Sequence, residues 1–345
     1  MMISHRIRRL NLWVMLMTSA IVVANAQTTA ANAAPQVKGT VRTDTFWSQS
    51  LGIQKEVRIY LPPSYATNNA KRYPVLFYLH GLGGDEKNWT ASGRLDVAMD
   101  SLIAAGKAEA IVVMPDGDDG WWTTANMFAD TPACRADSTR REPAATYCVP
   151  WLKYDDYVAR DLVTYIDARY RTLKTRNSRG IAGLSMGGYG AVTIALAYPE
   201  IFAAAASHSG VMSPRYLGPK PFVAPPSYAR DSISLRTAAG GLWRTQRVAF
   251  GLDTLGWIAR DPGRMALRAR TLQKGPLPAL RLDCGVSDTY IEENRDFHAT
   301  LTALGVSHEY AEWPGVHDWN YWRAHVPESL VFLLAKVQST ARLRD

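Results

Sequence analysis

The chain has only three cysteines and seven histidines in 345 residues. Three cysteines cannot build a disulfide scaffold, and no Cys/His spacing has the form of a zinc site. Neither a stapled small fold nor a metal centre is therefore expected to organise the protein. No apolar run reaches the ~20 residues of a membrane span. Basic residues never gather into a dense run, so a nucleic-acid surface is a poor reading of the formal charge of +8. No internal repeat is visible. Neither G-x-G-x-x-G nor a P-loop with its lysine occurs, which leaves no loop suited to cradling phosphate.

What is present begins with a leader. Arg6, Arg8 and Arg9 precede the apolar stretch "LNLWVMLMTSAIVVA", and Ala24-Asn25-Ala26 offers a small-residue cleavage site. Residues 1–26 read as a signal peptide, 27–36 as a linker, and the mature chain as starting near Gln27, secreted or periplasmic. No cysteine lies near the cut to carry a lipid, and no stable membrane insertion is expected after cleavage. Removing the three leader arginines lowers the charge to 8 − 3 = +5, a mildly basic solvated surface. In an exported protein, Cys134 and Cys148, in the polar stretch "ADTPACRADSTRREPAATYCVP", are expected to pair. Cys284 ends the apolar run "PALRLDC" and reads as a buried strand residue.

Beyond the linker, two strands in "VKGTVRTDTFWSQ" and "IQKEVRIYLPPSY" form a hairpin, and then apolar strands alternate with helices. The strands are "PVLFYLHG", "AIVVMPDG", "RGIAG", "FAAAASHSG", "ALRLDCG" and "SHEYAEWPG". Helices are expected around "RLDVAMDSLIAAG", in "DYVARDLVTYIDARYR", after Ser185, and in "VPESLVFLLAKV", the last opening at Pro327. This order predicts an α/β domain over 37–340, with a mostly parallel sheet covered by helices on both faces. Its site should lie beyond the carboxyl ends of the strands. Residues 211–275, rich in Pro, Gly, Trp and Arg, break the alternation and read as a cap-like insertion over that end.

One serine stands where strand gives way to helix. In "RGIAGLSMGGYGAVTIALAYPE", Gly183 and Gly187 flank Ser185 at the G-x-S-x-G spacing. The motif alone occurs by chance in roughly one chain in ten of this size. Its place between a strand and a helix exposes the hydroxyl and brings it near helix N–H groups. A serine hydroxyl needs a base, and the base needs an acid partner; both should follow the serine, each after a strand, acid first. Of the histidines, only His317 in "EWPGVHDWNYW" lies in a loop just past a strand. Among acids the same filter favours Asp288 in "LDCGVSDTYIEEN". Taken singly, Asp288 would read as a helix cap and His317 as a plain loop residue. With Ser185, in the required order, they read as a triad. The N–H groups of Met186, which follows the serine, and Leu82, in "HGLGGDEKNW", are the expected oxyanion donors.

These segments carry a resemblance. "YLPPSY", "YPVLFYLHGLGGDEKNW", "PDGDDGWW", "GLSMGGYGA", "CGVSD" and "GVHDW" resemble an esterase family of the α/β-hydrolase superfamily, in matching order from Val57 to Leu334. That family includes the esterase D/S-formylglutathione hydrolase type, feruloyl esterases and the antigen 85 mycolyltransferases. The resemblance implies a serine carboxylesterase using Ser185, Asp288 and His317, with no metal or organic cofactor. Its substrate would be a small-molecule or polysaccharide-linked ester, feruloyl and acylated-sugar esters fitting an exported protein best. Acyl transfer to a sugar, or a binding protein on a hydrolase scaffold, are the alternatives. Trp121 and Trp122, after the strand "AIVVMPDG", and Trp319, two residues past His317, are expected to line the substrate pocket. Nothing in the sequence fixes an oligomeric state.

Overall fold

The computed structural model describes residues 38–125, 131–136, 148–272 and 275–337. The leader and linker, 1–26 and 27–36, lie outside the described residues.

Eight strands make one sheet, and their placement follows from their residues. β1 (Thr40–Ser48) and β2 (Ile53–Leu61) alternate buried with exposed side chains, the pattern of a hairpin with one wet face. β3 (Val75–Leu79), β4 (Ile111–Pro115), β5 (Arg179–Leu184) and β6 (Ala204–His208) are buried along their whole length, as interior parallel strands must be. A two-stranded ribbon, β7 (Tyr216–Gly218) with β8 (Ser227–Tyr228), precedes β9 (Ala279–Gly285) and β10 (His308–Trp313). The sheet order is β1-β2-β4-β3-β5-β6-β9-β10; the hairpin is antiparallel, β2 runs antiparallel to β4, and every other pair is parallel.

Side-chain alternation divides the core into two layers. Val75, Phe77 and Leu79 of β3 face one side, together with Ile111 and Val113 of β4 and the helices spanning 154–169 and Met186–Ala197. Leu76, Tyr78, Val112 and Met114 face the other, against the helices Leu95–Ala104 and Trp319–Lys336. Val158, Leu162, Ile166 and Tyr170, at helical spacing in the sequence, are all buried. That helix carries a wider π-type segment over Tyr157–Leu162.

Two expectations need correction or refinement. The last helix does not open at Pro327: it begins at Trp319, eight residues earlier, because the Asp318 carboxylate accepts the Asn320 and Tyr321 N–H groups as an N-cap. Pro327 sits inside that helix. The insertion is mostly helical: Ser232–Ala239, Trp243–Phe250, Thr254–Ala259 and Pro262–Leu272 follow the ribbon. It packs on the loop after β4, where Trp121 Nε1 donates to Thr245 Oγ1 at 3.0 Å, and on the helix after β5, where Tyr189 donates to Arg260 O at 2.8 Å.

Cys134 and Cys148 are disulfide-bonded, fourteen residues apart, and Cys284 is a buried free thiol. Closing a ring of this length limits the unfolded chain by about 3 kcal/mol in the loop-entropy picture. Replacing both cysteines by serine is therefore expected to lower Tm by several degrees without abolishing folding. Intact-mass analysis after alkylation should count one thiol in the denatured native protein; a count of three would contradict the pairing.

Candidate active site

The chain's approach to Ser185 is set by close packing. A Cβ on Gly187 would stand 2.2 Å from Leu79 O, and one on Gly183 would stand 2.2 Å from Gly187 O. Only glycines let the strand turn this sharply into the helix Met186–Ala197. Ser185 itself is held at φ 51°, ψ −119°, a strained conformation for a side-chain-bearing residue. Its N–H donates to His208 O at 2.9 Å, anchoring the turn to β6.

Three loops from three strands meet there. The Ser185 hydroxyl lies 2.9 Å from His317 Nε2. His317 Nδ1 lies 2.9 and 3.0 Å from the two Asp288 carboxylate oxygens. Asp288 is buried, while Ser185 and His317 are partly exposed. Asp288 is not the helix N-cap, a place taken by Tyr290; its Oδ1 instead accepts the Tyr290 N–H at 2.8 Å in a turn that leads into the helix Ile291–Ala303. Tyr290 and Trp322 stand edge-on to the imidazole, each with its centroid 4.9 Å away, and fix the ring plane. The arrangement can pass a proton from hydroxyl to imidazole and hold the resulting cation against a carboxylate.

Residues 48–333 match the family described as "Putative esterase". The chain belongs to that esterase family. It is 29% identical over 278 residues to an esterase of Mycobacterium tuberculosis (strain H37Rv), covering 79% of this chain and 54% of that protein. The chain thus spans about half the length of the mycobacterial esterases it matches. An endo-1,4-beta-xylanase/feruloyl esterase of Xylanibacter ruminicola is 32% identical over 168 residues, 48% of this chain and 20% of that protein. A solved ferulic acid esterase superposes with a TM-score of 0.64 at 25% identity, over 87% of this chain and 99% of that one.

In this esterase-family chain, Met186 opens a helix, whose first-turn N–H groups have no intrahelical acceptor. Leu82 sits in the turn after β3, and that turn is tied down at several points. Gly117 N–H donates to His80 Nε2 at 2.9 Å, which puts the ring proton on Nδ1, where it donates to Gly81 O at 2.8 Å. Trp122 Nε1 donates to His80 O at 3.2 Å, and Asp119 Oδ1 accepts the Gly83 N–H at 2.8 Å. The "PDGDDGWW" segment therefore braces the "HGLGG" turn. Beneath it, buried Lys55 pairs with Asp116 at 2.6 Å and Asp118 at 2.9 Å. Burial pushes the Asp118 carboxyl up to about 6, against the pull of the Lys55 charge.

Sequence reasoning missed these braces because their partners stand 36 and 37 residues apart; only the aspartate-rich motif pointed toward them. If the Leu82 N–H serves as the expected oxyanion donor, Asp119→Ala should lower kcat about tenfold by loosening its loop, with Asp119→Asn recovering most of it. An unchanged kcat in Asp119→Ala would detach this brace from catalysis.

The structure corrects two of the three tryptophan expectations. Trp121 and Trp122 do stand just past the end of β4, but both are fully buried. Each sits at positive φ, so the backbone turns the rings into the core. Trp121 packs on Tyr189 and Phe250, and Trp122 packs on His80 where Gly190 has no side chain. They support the site rather than line it. Trp319 remains partly exposed, packed edge-on against Trp89 and Trp322.

Among the described residues no group of three or more His, Cys, Asp or Glu side chains could hold a metal ion, and no helix is long and apolar enough to cross a membrane.

Proposed function

We propose that the protein is an exported serine carboxylesterase that works through an acyl-enzyme. The observation that carries this reading is His317, whose two ring nitrogens each lie 2.9 Å from a partner, Ser185 Oγ on one side and Asp288 on the other. As Ser185 Oγ attacks the ester carbonyl carbon, its proton passes to His317 Nε2. Asp288 accepts the Nδ1–H bond and stabilises the imidazolium. The N–H groups of Leu82 and Met186 receive the oxyanion. His317 then returns the proton to the departing alcohol, the acyl group stays on Ser185, and a water repeats the sequence to release the acid.

Membership in the esterase family supports the reaction class, and the leader at 1–26 supports export. A feruloyl or acylated-sugar ester is the substrate this reading favours, in keeping with the feruloyl esterases among the similar proteins. Trp319, beside His317, is the remaining aromatic candidate for its pocket.

Turnover of short-chain, long-chain, feruloyl and acetylated-sugar esters, each with and without a sugar acceptor, tests the proposal. Free acid released fastest from feruloyl or sugar esters is the expected result. Acyl groups diverted quantitatively to the acceptor would make the protein a transferase, and turnover of none would make it a binding protein.

A further inference from the structure

Among the described residues Trp47 and Trp151 are the most exposed tryptophans, ahead of Trp313 at 41%. Trp47 is 55% and Trp151 54% exposed, whereas Trp89, Trp121, Trp122 and Trp257 are wholly buried. One exposed ring alone is ordinary, but two beside the same turn give an apolar surface suited to meeting a partner. Both flank one turn. Trp47 pairs with Gln54 across the β1–β2 hairpin, and the Trp151 ring lies against Gly52 in its bend, 3.1 Å from where a Cβ would stand.

A cavity of about 540 Å³ opens beside Trp47, and its lining includes Thr45, Gln49, Gln54, Arg160 and Thr164. Its lining carries charges of both signs, each with a contact inside the protein. Arg160 pairs with Asp156 at 2.7 Å, and the Asp161 carboxylate at its margin accepts Ser48 Oγ and Ser50 N–H, each at 2.7 Å. What the groove offers a ligand is a flat ring, two carboxamides that both donate and accept, hydroxyls, and the largely exposed Arg160 guanidinium offset by nearby carboxylates. That chemistry suits a neutral, hydroxyl-rich molecule with an apolar C–H face, which is a carbohydrate.

The turn also faces the same way as the site. β2 runs antiparallel to β4 with Val57 opposite Pro115, the last residue of β4, so the turn at 48–53 projects past the carboxyl ends of the parallel strands. Ser185 follows the carboxyl end of β5, four strand steps from β1, which carries Trp47. At strand spacing this separation is about 19 Å, short enough for one extended chain to reach both.

We propose that the Trp47 groove binds a neutral polysaccharide chain whose acyl substituent enters the Ser185 site. The ester part of this inference rests on the esterase reading; the binding part does not.

The test uses the mature chain carrying Ser185→Ala, with soluble wheat arabinoxylan as the probe in affinity electrophoresis and calorimetry. Arabinoxylan should bind, Trp47→Ala should weaken it about tenfold, and Trp47→Phe should restore part of the affinity. With Ser185 intact, Trp47→Ala should raise KM for feruloylated arabinoxylan while leaving p-nitrophenyl acetate turnover unchanged. Equal affinity in Trp47→Ala, or no binding by the parent, overturns the proposal. So does a dimer, seen by light scattering, that Trp47→Ala converts to monomer, because the patch would then meet a second copy. Failure of the unsubstituted protein to turn over p-nitrophenyl acetate contradicts the esterase reading instead, while the binding measurement still decides this one.

Discussion

Ser185→Ala is expected to lower kcat/KM for any ester substrate by about a millionfold, with Tm nearly unchanged. The size follows from the nature of the step: without Oγ no acyl-enzyme forms, and only substrate binding and oxyanion stabilisation remain. The fold should tolerate the change because the backbone strain at φ 51° is the same for alanine as for serine. The substitution removes the 2.9 Å hydrogen bond between Oγ and the partly exposed His317, which contributes roughly 1 kcal/mol. A residual rate within tenfold of the native one would mean that the nucleophile is elsewhere.

His317→Ala should cost almost as much, since base and nucleophile act as a unit. Asp288→Asn should cost somewhat less, about ten-thousandfold. An amide nitrogen in place of a carboxylate oxygen would donate toward Nδ1, so the ring proton would move to Nε2 and face the hydroxyl it must deprotonate. Asparagine keeps an oxygen to accept the Tyr290 N–H, which donates to Asp288 at 2.8 Å in the native protein, so the loss reads out chemistry more than loop order. Near-native turnover in His317→Ala would transfer the base role to another residue. His208, whose carbonyl accepts the Ser185 N–H, is a poor substitute: it is fully buried, with Nδ1 on Asp283 at 2.9 Å.

How much of this was legible in the sequence can be judged residue by residue. The interior strands β3 through β6 were readable as short apolar runs, with Arg179, Ser207 and His208 their polar exceptions, and the hairpin β1–β2 as an alternating pattern. Ser185, Asp288 and His317 were readable because the chemistry demands three residue types in a fixed order after strands, and few positions satisfy that filter. Trp121 and Trp122 were misread for a definite reason. The end of β4 fixes which side of the sheet they leave from, but two successive positive-φ residues, invisible in a residue pattern, turn both rings inward. The start of the last helix was misplaced because Pro327 is a familiar opening residue, whereas the stronger signal was the Asp318 cap directly after His317. The His80 and Asp119 braces depend on contacts between distant segments, which local pattern does not encode.

The central claim is that Ser185 is an activated nucleophile, and covalent labelling reads this directly. Incubating the native protein with a fluorophosphonate probe, followed by intact-mass and peptide mapping, should give a single adduct on Ser185, absent from Ser185→Ala. An adduct on a different residue, or labelling that survives in Ser185→Ala, would contradict the account.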